Sequence, residues 1–332
     1  MTAGGPGRAV TAAEVAERLR SESRVLAVSH EAPDGDALGC LSAFLLLCEQ
    51  LGISCTAFVP GTSAIPPEYQ FLPRVSQIVR GKLPAVEAST TVYYFDCASL
   101  LRCDDLPYPE GVVRINLDHH QDNPCYAELN LLDSTAASST SILYEVCKAG
   151  GFVVDTDMAT ALYVGLVTDT GRFQYSNTTP GAHRMAAELQ ERGLDVAQVY
   201  RQVYESTPLA KLKLQGRAVS HMQVRLGGAL VTSWLSNDDF AEMGADEGHA
   251  EGIIDSLRRI QGVRVAAIAR TRKRNGKVET KVSLRSTDGA VDVAALAARQ
   301  GGGGHVRAAG FTSEDELQAV LAWIERQVEA LL

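Results

Sequence analysis

The stretch SHEAPDGDALG, Ser29 to Gly39, crowds His30, Asp34 and Asp36 into one loop directly after the apolar run VLAV. Similar groups recur later in the chain. Asp96 closes TVYYFD, Asp118, His119 and His120 close VVRINLDHH, and Asp169 sits in GLVTDTGRF. Taken singly, each has a plainer role. An Asp after a strand often caps the next helix, and Asp36 is as well suited to that as to binding. His119 alone would pass for a satisfied core histidine. Recurrence in separate segments favours shared chemistry. Several carboxylates cannot occupy one pocket as bare anions near neutral pH; either their pKa values rise or cations neutralise them. Oxygen donors with one or two imidazoles suit Mn²⁺ or Mg²⁺ better than a thiolate zinc site. More carboxylates than a single ion needs points to a pair. Two metals ~3.5–4 Å apart clamp the attacking and leaving oxygens of phosphoryl transfer and activate water.

These residues need a frame that brings distant segments together. VLAVS (25–29), ISCTAFVP (53–60), TVYYFD (91–96) and VVRINLD (112–118) read as buried strands. DALGCLSAFLLLCEQLG (36–52) reads as an apolar helix closed by Gly52. A short helix is expected over 11–20, and a Pro-rich loop with a short helix from Pro60 to Pro84. Strands alternating with helices predict an α/β fold with a doubly wound, mainly parallel sheet. Ligands in such sheets lie outside the carboxyl ends of the strands, where His30, Asp96 and the Asp118–His120 triplet fall. Asp169 follows a helix and is placed to close the same site.

From Ser138 the pattern turns helical, through SSTSILYEVCKAGG, DMATALYVGLVTDT, PGAHRMAAELQERG and TPLAKLKLQGRAVSHMQV. Strands return at GALVTSWLS (228–236), VRVAAIART and VETKVSLRS. Loop is expected within 237–250, and helices near 248–260, over VDVAALAARQ and at the end of the chain. The expected organisation is a catalytic domain over 11–205, a linker helix over 206–226 and a smaller α/β domain over 227–332, with a cleft between the two domains.

The 332 residues carry a net charge of -9. That is the wrong sign for coating long nucleic acid, where Lys and Arg must neutralise phosphates. An acidic chain that handles phosphates does so more plausibly through bound cations. Hydrophobic residues at 45% and charged residues at 21% are ordinary for a soluble globular protein. The cysteines (Cys40, Cys48, Cys55, Cys97, Cys103, Cys125 and Cys147) are odd in number and include no C-x-x-C pair. Neither a disulfide framework nor a thiolate zinc site is expected, and all are read as small buried apolar residues in a reducing compartment. The start of the chain has no apolar core of signal-peptide type, and no apolar run is long enough to span a bilayer, so a cytoplasmic location is expected.

At Asp118-His119-His120 the pattern resembles the DHH phosphoesterase superfamily, named for that triplet. HEAPDGDALG, the Asp of YYFDCAS, LDHH and YVGLVTDTGRFQYSN match the family's motifs, and KVSLRS and GGGGHVRAAGF resemble its DHH-associated domain. The resemblance covers nearly the whole chain. It implies that His30 and Asp34 hold one divalent ion, that Asp36, His119 and Asp169 hold a second, and that Asp96 bridges them. It implies that Asp118 orients a neighbouring ligand, while His120 faces the substrate phosphate and stabilises charge in the transition state. In the C-terminal segment, Gly302, Gly303 and Gly304 would let backbone N–H groups approach a phosphate. His305 and Arg285 would grip it, a task for which Arg has the right fork. Arg172, close to Asp169, is a further candidate for substrate contact. RTRKRNGK (270–277) is either a guide for RNA phosphates or, as such runs more often are, a solvated hairpin tip.

Within the superfamily, length and motif wording resemble the bacterial NrnA-type oligoribonucleases. The resemblance then implies a two-metal enzyme that degrades short oligoribonucleotides, such as pApA, to mononucleotides and dephosphorylates 3'-phosphoadenosine 5'-phosphate to AMP. It implies Mn²⁺ ahead of Mg²⁺ and a homodimer, with neither long duplex nucleic acid nor membrane as partner. A cyclic diadenylate phosphodiesterase is the alternative. Inorganic pyrophosphatase is disfavoured by GGGGHVRAAG, and an exonuclease of long single strands by the lack of room for an added OB-fold. A non-catalytic nucleotide-binding regulator is disfavoured because no candidate metal ligand is missing.

Overall fold

The computed structural model describes residues 7–61, 64–83, 86–103, 108–274 and 277–332. They form two compact units, Met1–Ser206 and Thr207–Leu332. The first contains β1 (Arg8–Ala9), α1 (Ala12–Arg20), β2 (Arg24–Val28), α2 (Gly35–Leu51), β3 (Ser54–Pro60), β4 (Val79–Gly81), β5 (Thr91–Phe95), β6 (Arg114–Asp118) and β7 (Leu129–Leu132). Helices α3 (Ser139–Gly150), α4 (Thr156–Asp169), α5 (Pro180–Gln190) and α6 (Val196–Tyr204) complete it.

Local chemistry starts and stops these helices. Thr11 and Glu14 form a capping box at α1. Asp34 caps α2, and Gly52 ends it in the left-handed conformation that glycine adopts without penalty. The strands line up in the order β1-β7-β6-β5-β2-β3-β4, and every ladder in this sheet is parallel. Val25, Ala27, Tyr93, Phe95, Ile115 and Leu117 point to one face and join the core built with the helices. Leu26, Val28, Phe58, Val92 and Tyr94 point to the other, where Cys97, Cys103, Tyr108 and Tyr126 cover them.

The site depends on one feature of this order. Strands β6, β5 and β2 are neighbours, with Val28 opposite Tyr94 and Phe95 opposite Leu117. Their carboxyl ends leave the sheet side by side. Sequence order also reverses here, since β3 follows β2 on one side while β5 and β6 follow on the other. That is the switch point at which open α/β sheets bind ligands. In this sheet three strands were not expected: β1, β4 and β7, of 2, 3 and 4 residues. Runs that short carry too little periodicity to be read as strands.

The second unit contains α7 (Leu209–Ser220), β8 (Gln223–Arg225), β9 (Leu230–Leu235), α8 (Asn237–Met243), α9 (Ile253–Arg258), β10 (Val265–Arg274) and β11 (Lys277–Ser286). It continues through α10 (Val293–Ala298), β12 (Gly303–His305), β13 (Ala308–Ser313) and α11 (Leu317–Glu329). Its sheet runs β12-β13-β11-β10-β9-β8. Only β9 and β10 pair in parallel. One face packs Val265, Ala267, Val282, Leu284 and Phe311 with residues of α10 and α11. The other packs Val231, Leu235, Ala266 and Ile268 with residues of α7 and α9.

Helix α7 buries Leu214 and Ala218 in this second core, and the chain after it becomes β8 rather than more helix. The stretch expected to be loop after residue 236 holds α8, because Ser236 and Asp239 form a capping box and Gly244 closes the helix. The helix expected near 248–260 is split into a 3-10 turn, Glu247–Ala250, and α9, with Gly252 at φ 78 between them.

Candidate metal centre

Each acidic or imidazole group reaches the rim from a different element. His30 follows β2, Asp96 follows β5, and Asp118 is the last residue of β6 with His119 and His120 behind it. Asp34 caps α2, Asp36 lies in its first turn, and Asp169 ends α4. Asp96 turns the chain at φ 56, a left-handed conformation that aspartate tolerates better than most residues.

The fold gathers these side chains into three overlapping groups: His30 with Asp34 and Asp96, Asp36 with His119 and Asp169, and Asp96 with His119 and His120. Within each group the candidate ligand atoms lie within 4.8 Å of one another. His30 Nε2 is 3.4 Å from Asp96 Oδ2, and His119 Nε2 is 3.6 Å from both Asp96 Oδ1 and Asp169 Oδ2. Asp96 stands at the junction. His30 Nδ1 lies 2.9 Å from the Glu31 carbonyl. In a metal-bound ring the proton would sit on that bond and leave the Nε2 lone pair facing the cluster, as metal-binding histidines are usually arranged; without metal, Nε2–H faces the Asp96 carboxylate.

The charge balance fits divalent cations. Asp36 and Asp96 are buried. Burial and the neighbouring charges of Asp96 and Asp34 push Asp36 well above the usual carboxyl range. Burial and the charge of Asp36 likewise push Asp169 up to about 8. Burial also works against ionised Asp96, but its hydrogen bond to His30 and the nearby imidazoles hold it below its ordinary value. Burial alone would lower His30, but the bonds to Asp96 and to the Glu31 carbonyl, with the charges of Asp34 and Asp96, together leave it raised. Carboxyls forced to keep their protons are what a pocket built for positive charge shows on its own. The nearby thiol Cys40 is buried and pushed far up, so it stays protonated. The donor set is therefore oxygen and imidazole, which suits Mn²⁺ or Mg²⁺.

A second layer of contacts fixes the donors. Asp118 is fully buried and belongs to none of the three groups. Its Oδ1 accepts from the N–H of His119 at 2.9 Å, the N–H of His120 at 3.3 Å and Nδ1 of His120 at 2.7 Å. Its Oδ2 accepts from Asn123 at 2.6 Å. The bond to Asp118 pushes His120 up to about 9. Asp34, not Asp36, caps α2, through Oδ1 to the N–H groups of Asp36 and Ala37. The Asp36 carboxylate instead meets the first turn of α3, where Ser139 and Thr140 donate to it. Asn177 donates to the carbonyl and to Oδ2 of Asp169 at 3.1 and 3.3 Å. Arg102 places a guanidinium nitrogen 3.1 Å from His30 Nδ1.

Sequence reasoning missed Arg102, Asn123, Ser139, Thr140 and Asn177. Only the Ser138-Ser139-Thr140 run gave a signal, as a cluster of cap-type residues before a helix. The cysteine expectation is also corrected. Cys97 and Cys103 form a disulfide that closes the loop after Asp96. A 3-10 turn at Leu100–Arg102 folds that loop back and brings the two together, which spacing alone does not reveal. Of the free cysteines, Cys40, Cys48 and Cys147 are buried, while Cys55 and Cys125 are only partly so.

In the C-terminal unit, Arg285 sits opposite Ala308, and Ala308 opposite His305. The two basic residues thus flank one alanine on the same face. Beside them Ser283, Gly310 and Gly303 form a row of small residues across the same strands. Arg285 Nε is 3.6 Å from Asp255 Oδ1. Gly302 and Gly304 are glycines for packing reasons. A Cβ on Gly302 would lie 2.2 Å from the Gly310 carbonyl oxygen, and one on Gly304, at φ +142, 2.5 Å from that of Ala308. Gly303 is exposed, with open space where a side chain would stand. Arg172 lies with its guanidinium carbon 5.1 Å above the centre of the Tyr204 ring, a cation–π contact. In the basic turn, β10 and β11 pair out to Arg274 and Lys277, Arg272 pairs with Glu247, and Asn275 and Gly276 lie outside the described residues.

Comparison with known proteins bears on this geometry. Residues 24–166 match the DHH family, N-terminal domain, and residues 227–330 the DHHA1 domain. The bifunctional oligoribonuclease and PAP phosphatase NrnA of Thermus thermophilus is 32% identical over 300 residues, covering 90% of this chain and 87% of that one. Its namesake from Bacillus subtilis is 28% identical over 301 residues, covering 89% and 92%. An exopolyphosphatase-related protein from Bacteroides fragilis shares the fold, with a TM-score of 0.84 at 21% identity over 96% of each chain. With both domain matches, this identity over most of its length and the Asp118-His119-His120 triplet at the end of β6, the chain belongs to the DHH family of phosphoester hydrolases.

Proposed function

We propose that this protein is a two-metal phosphohydrolase that degrades short oligoribonucleotides to mononucleotides and dephosphorylates 3'-phosphoadenosine 5'-phosphate to AMP. One observation carries the reading. Three ligand groups overlap through Asp96 and His119 at the carboxyl rim of the parallel sheet, in a chain whose relatives bear oligoribonuclease and PAP phosphatase names. On this reading His30 and Asp34 hold one ion, Asp36, His119 and Asp169 the other, and Asp96 both. Bound divalent ions supply charge neutralisation and a water of lowered pKa.

The protein's own groups do the rest. Asp118 keeps His120 protonated, so the imidazolium donates to a phosphate oxygen as negative charge builds there. Asn123 prevents Asp118 from swinging away. Arg285, His305 and the glycine strand hold a terminal phosphate of the substrate, with Arg172 as a further contact. Mixed carboxylate and imidazole donors favour Mn²⁺ over Mg²⁺. No described helix is long and apolar enough to cross a membrane. Short RNA ends and nucleotide bisphosphates arise inside cells, which supports a cytoplasmic enzyme, and a symmetric dimer is the commonest assembly of such chains.

A hydrolysis panel with Mn²⁺ tests the reading, using 5'-phosphorylated dinucleotides, longer RNA, 3'-phosphoadenosine 5'-phosphate, cyclic diadenylate and pyrophosphate. Dinucleotides and the bisphosphate should be turned over fastest. Turnover confined to pyrophosphate or to cyclic diadenylate would overturn the substrate assignment.

A further inference from the structure

We propose that Ser139 and Thr140, in the first turn of α3, are positioning residues that hold the carboxylates of Asp36 and Asp96 in the orientation that receives metal. The inference rests on the two-metal reading above and extends it to residues outside the ligand groups.

The contacts are specific. The Ser139 N–H donates to Asp36 Oδ2 at 2.6 Å. The N–H and the hydroxyl of Thr140 donate to Asp36 Oδ1 at 3.0 and 2.7 Å. The Ser139 hydroxyl donates to Asp96 Oδ1 at 3.1 Å. One helical turn therefore touches both Asp96, the junction of two ligand groups, and Asp36, a member of the third. Ser138, Ser139 and Thr140 are all fully buried, so water does not compete for these bonds.

The hydroxyls form an ordered chain. Thr140 spends its proton on Asp36, so at its 2.8 Å contact with Ser138 it is the acceptor. Ser138 in turn accepts from the Ser141 N–H at 3.1 Å, which caps α3. Helices α2 and α4 also pack closely beside the Asp36 carboxylate. A Cβ on Gly165 would stand 2.5 Å from Asp36 Oδ1, and one on Gly39 2.6 Å from the Ala161 carbonyl oxygen. Helices α2 and α4 thus meet at glycine beside the carboxylate. The two hydroxyls add to the backbone donors what those donors cannot: they fix the carboxylate's rotation and tie Asp36 to Asp96 through adjacent residues. Partners of this kind typically shift metal affinity by about 10- to 100-fold.

The test compares full-length wild type with Thr140→Val, Thr140→Ser and Ser139→Ala. Mn²⁺ affinity is measured by calorimetric titration, and melting temperature with and without Mn²⁺. Thr140→Val keeps the shape and the N–H and removes only the hydroxyl. It should bind Mn²⁺ about 10- to 100-fold more weakly. Its metal-induced rise in melting temperature should shrink, and Thr140→Ser should restore both. Ser139→Ala should weaken Mn²⁺ binding in the same direction, and it carries the test alone if Thr140→Val does not fold. Wild-type Mn²⁺ affinity in folded Thr140→Val or in Ser139→Ala would overturn the inference. So would equal loss of stability with and without metal that Thr140→Ser fails to rescue. A wild-type chain that takes up no Mn²⁺ would instead sink the two-metal reading itself, a separate result.

Discussion

His120 Nδ1 lies 2.7 Å from Oδ1 of Asp118, and the other oxygen of that carboxylate is held by Asn123 at 2.6 Å. The buried anion makes His120 a cation at neutral pH. Asp118→Asn removes the largest cause of the raised value and lowers the ring's affinity for protons. The turnover number should fall about 10²- to 10⁴-fold, the usual worth of a positioned proton donor. The basic limb of the rate–pH profile should move to lower pH. A profile with an unmoved limb would remove His120 from the chemistry.

Stability of the metal-free protein should depend on pH in a direction opposite to that of a protein with well-paired carboxylates. Asp169 is raised to about 8 by burial and Asp36, and Asp36 is raised as well. A carboxyl whose pKa is higher folded than unfolded lends stability in full below its unfolded value, and loses it as pH rises through the folded value. With chelator present, the melting temperature should therefore fall between about pH 4 and 8, the window between the ordinary aspartate value and that of Asp169. Asp169→Asn should flatten the slope. Mn²⁺ should reverse it, because binding requires ionised carboxylates. A metal-free melting temperature that climbs across this window would contradict the assigned repulsion.

Two glycines in helices should respond in opposite ways to alanine. Gly165→Ala drives a methyl to 2.4 Å from Thr140 Cγ2 and 2.5 Å from Asp36 Oδ1. It should cost about 1–3 kcal/mol of stability by overpacking and weaken Mn²⁺ binding. Gly216, inside α7, has nothing within 4 Å of the added carbon, so Gly216→Ala should stabilise by about 0.4–1 kcal/mol. Urea unfolding of both variants decides the matter, and equal effects would mean that α2 and α4 are not tightly packed beside Asp36.

Arg285 and His305 flank Ala308 on one face of the second sheet. If that face takes a terminal phosphate, Arg285→Ala should raise KM for a 5'-phosphorylated dinucleotide about tenfold or more, the loss of one charge-assisted contact. The turnover number should hardly change. A drop in turnover at constant KM would move Arg285 from binding to chemistry.

The metal-site candidates were legible because strands announce their ends. VLAV, TVYYF and INL are apolar runs that stop at Ser29-His30, Asp96 and Asp118, and in a parallel sheet those stops share a rim. Tertiary partners left no such mark. Ser139 and Thr140 read as ordinary residues at a helix start, and their bonds to Asp36 span 103 and 104 positions. Asn123 and Asn177 sit in loops whose polar residues look alike from sequence. The Cys97–Cys103 bond depends on a 3-10 turn between them. Strands β1, β4 and β7 are too short to show a period, and their existence depends on an open edge to pair with.

The two-metal centre is tested most directly by diffraction from crystals grown with MnCl₂, with data collected at the manganese absorption edge. The expected result is two anomalous peaks ~3.5–4 Å apart. Asp96 should contact both, with His30 and Asp34 on one side and Asp36, His119 and Asp169 on the other. A site without anomalous density, or a single ion that Asp96 does not touch, would contradict it.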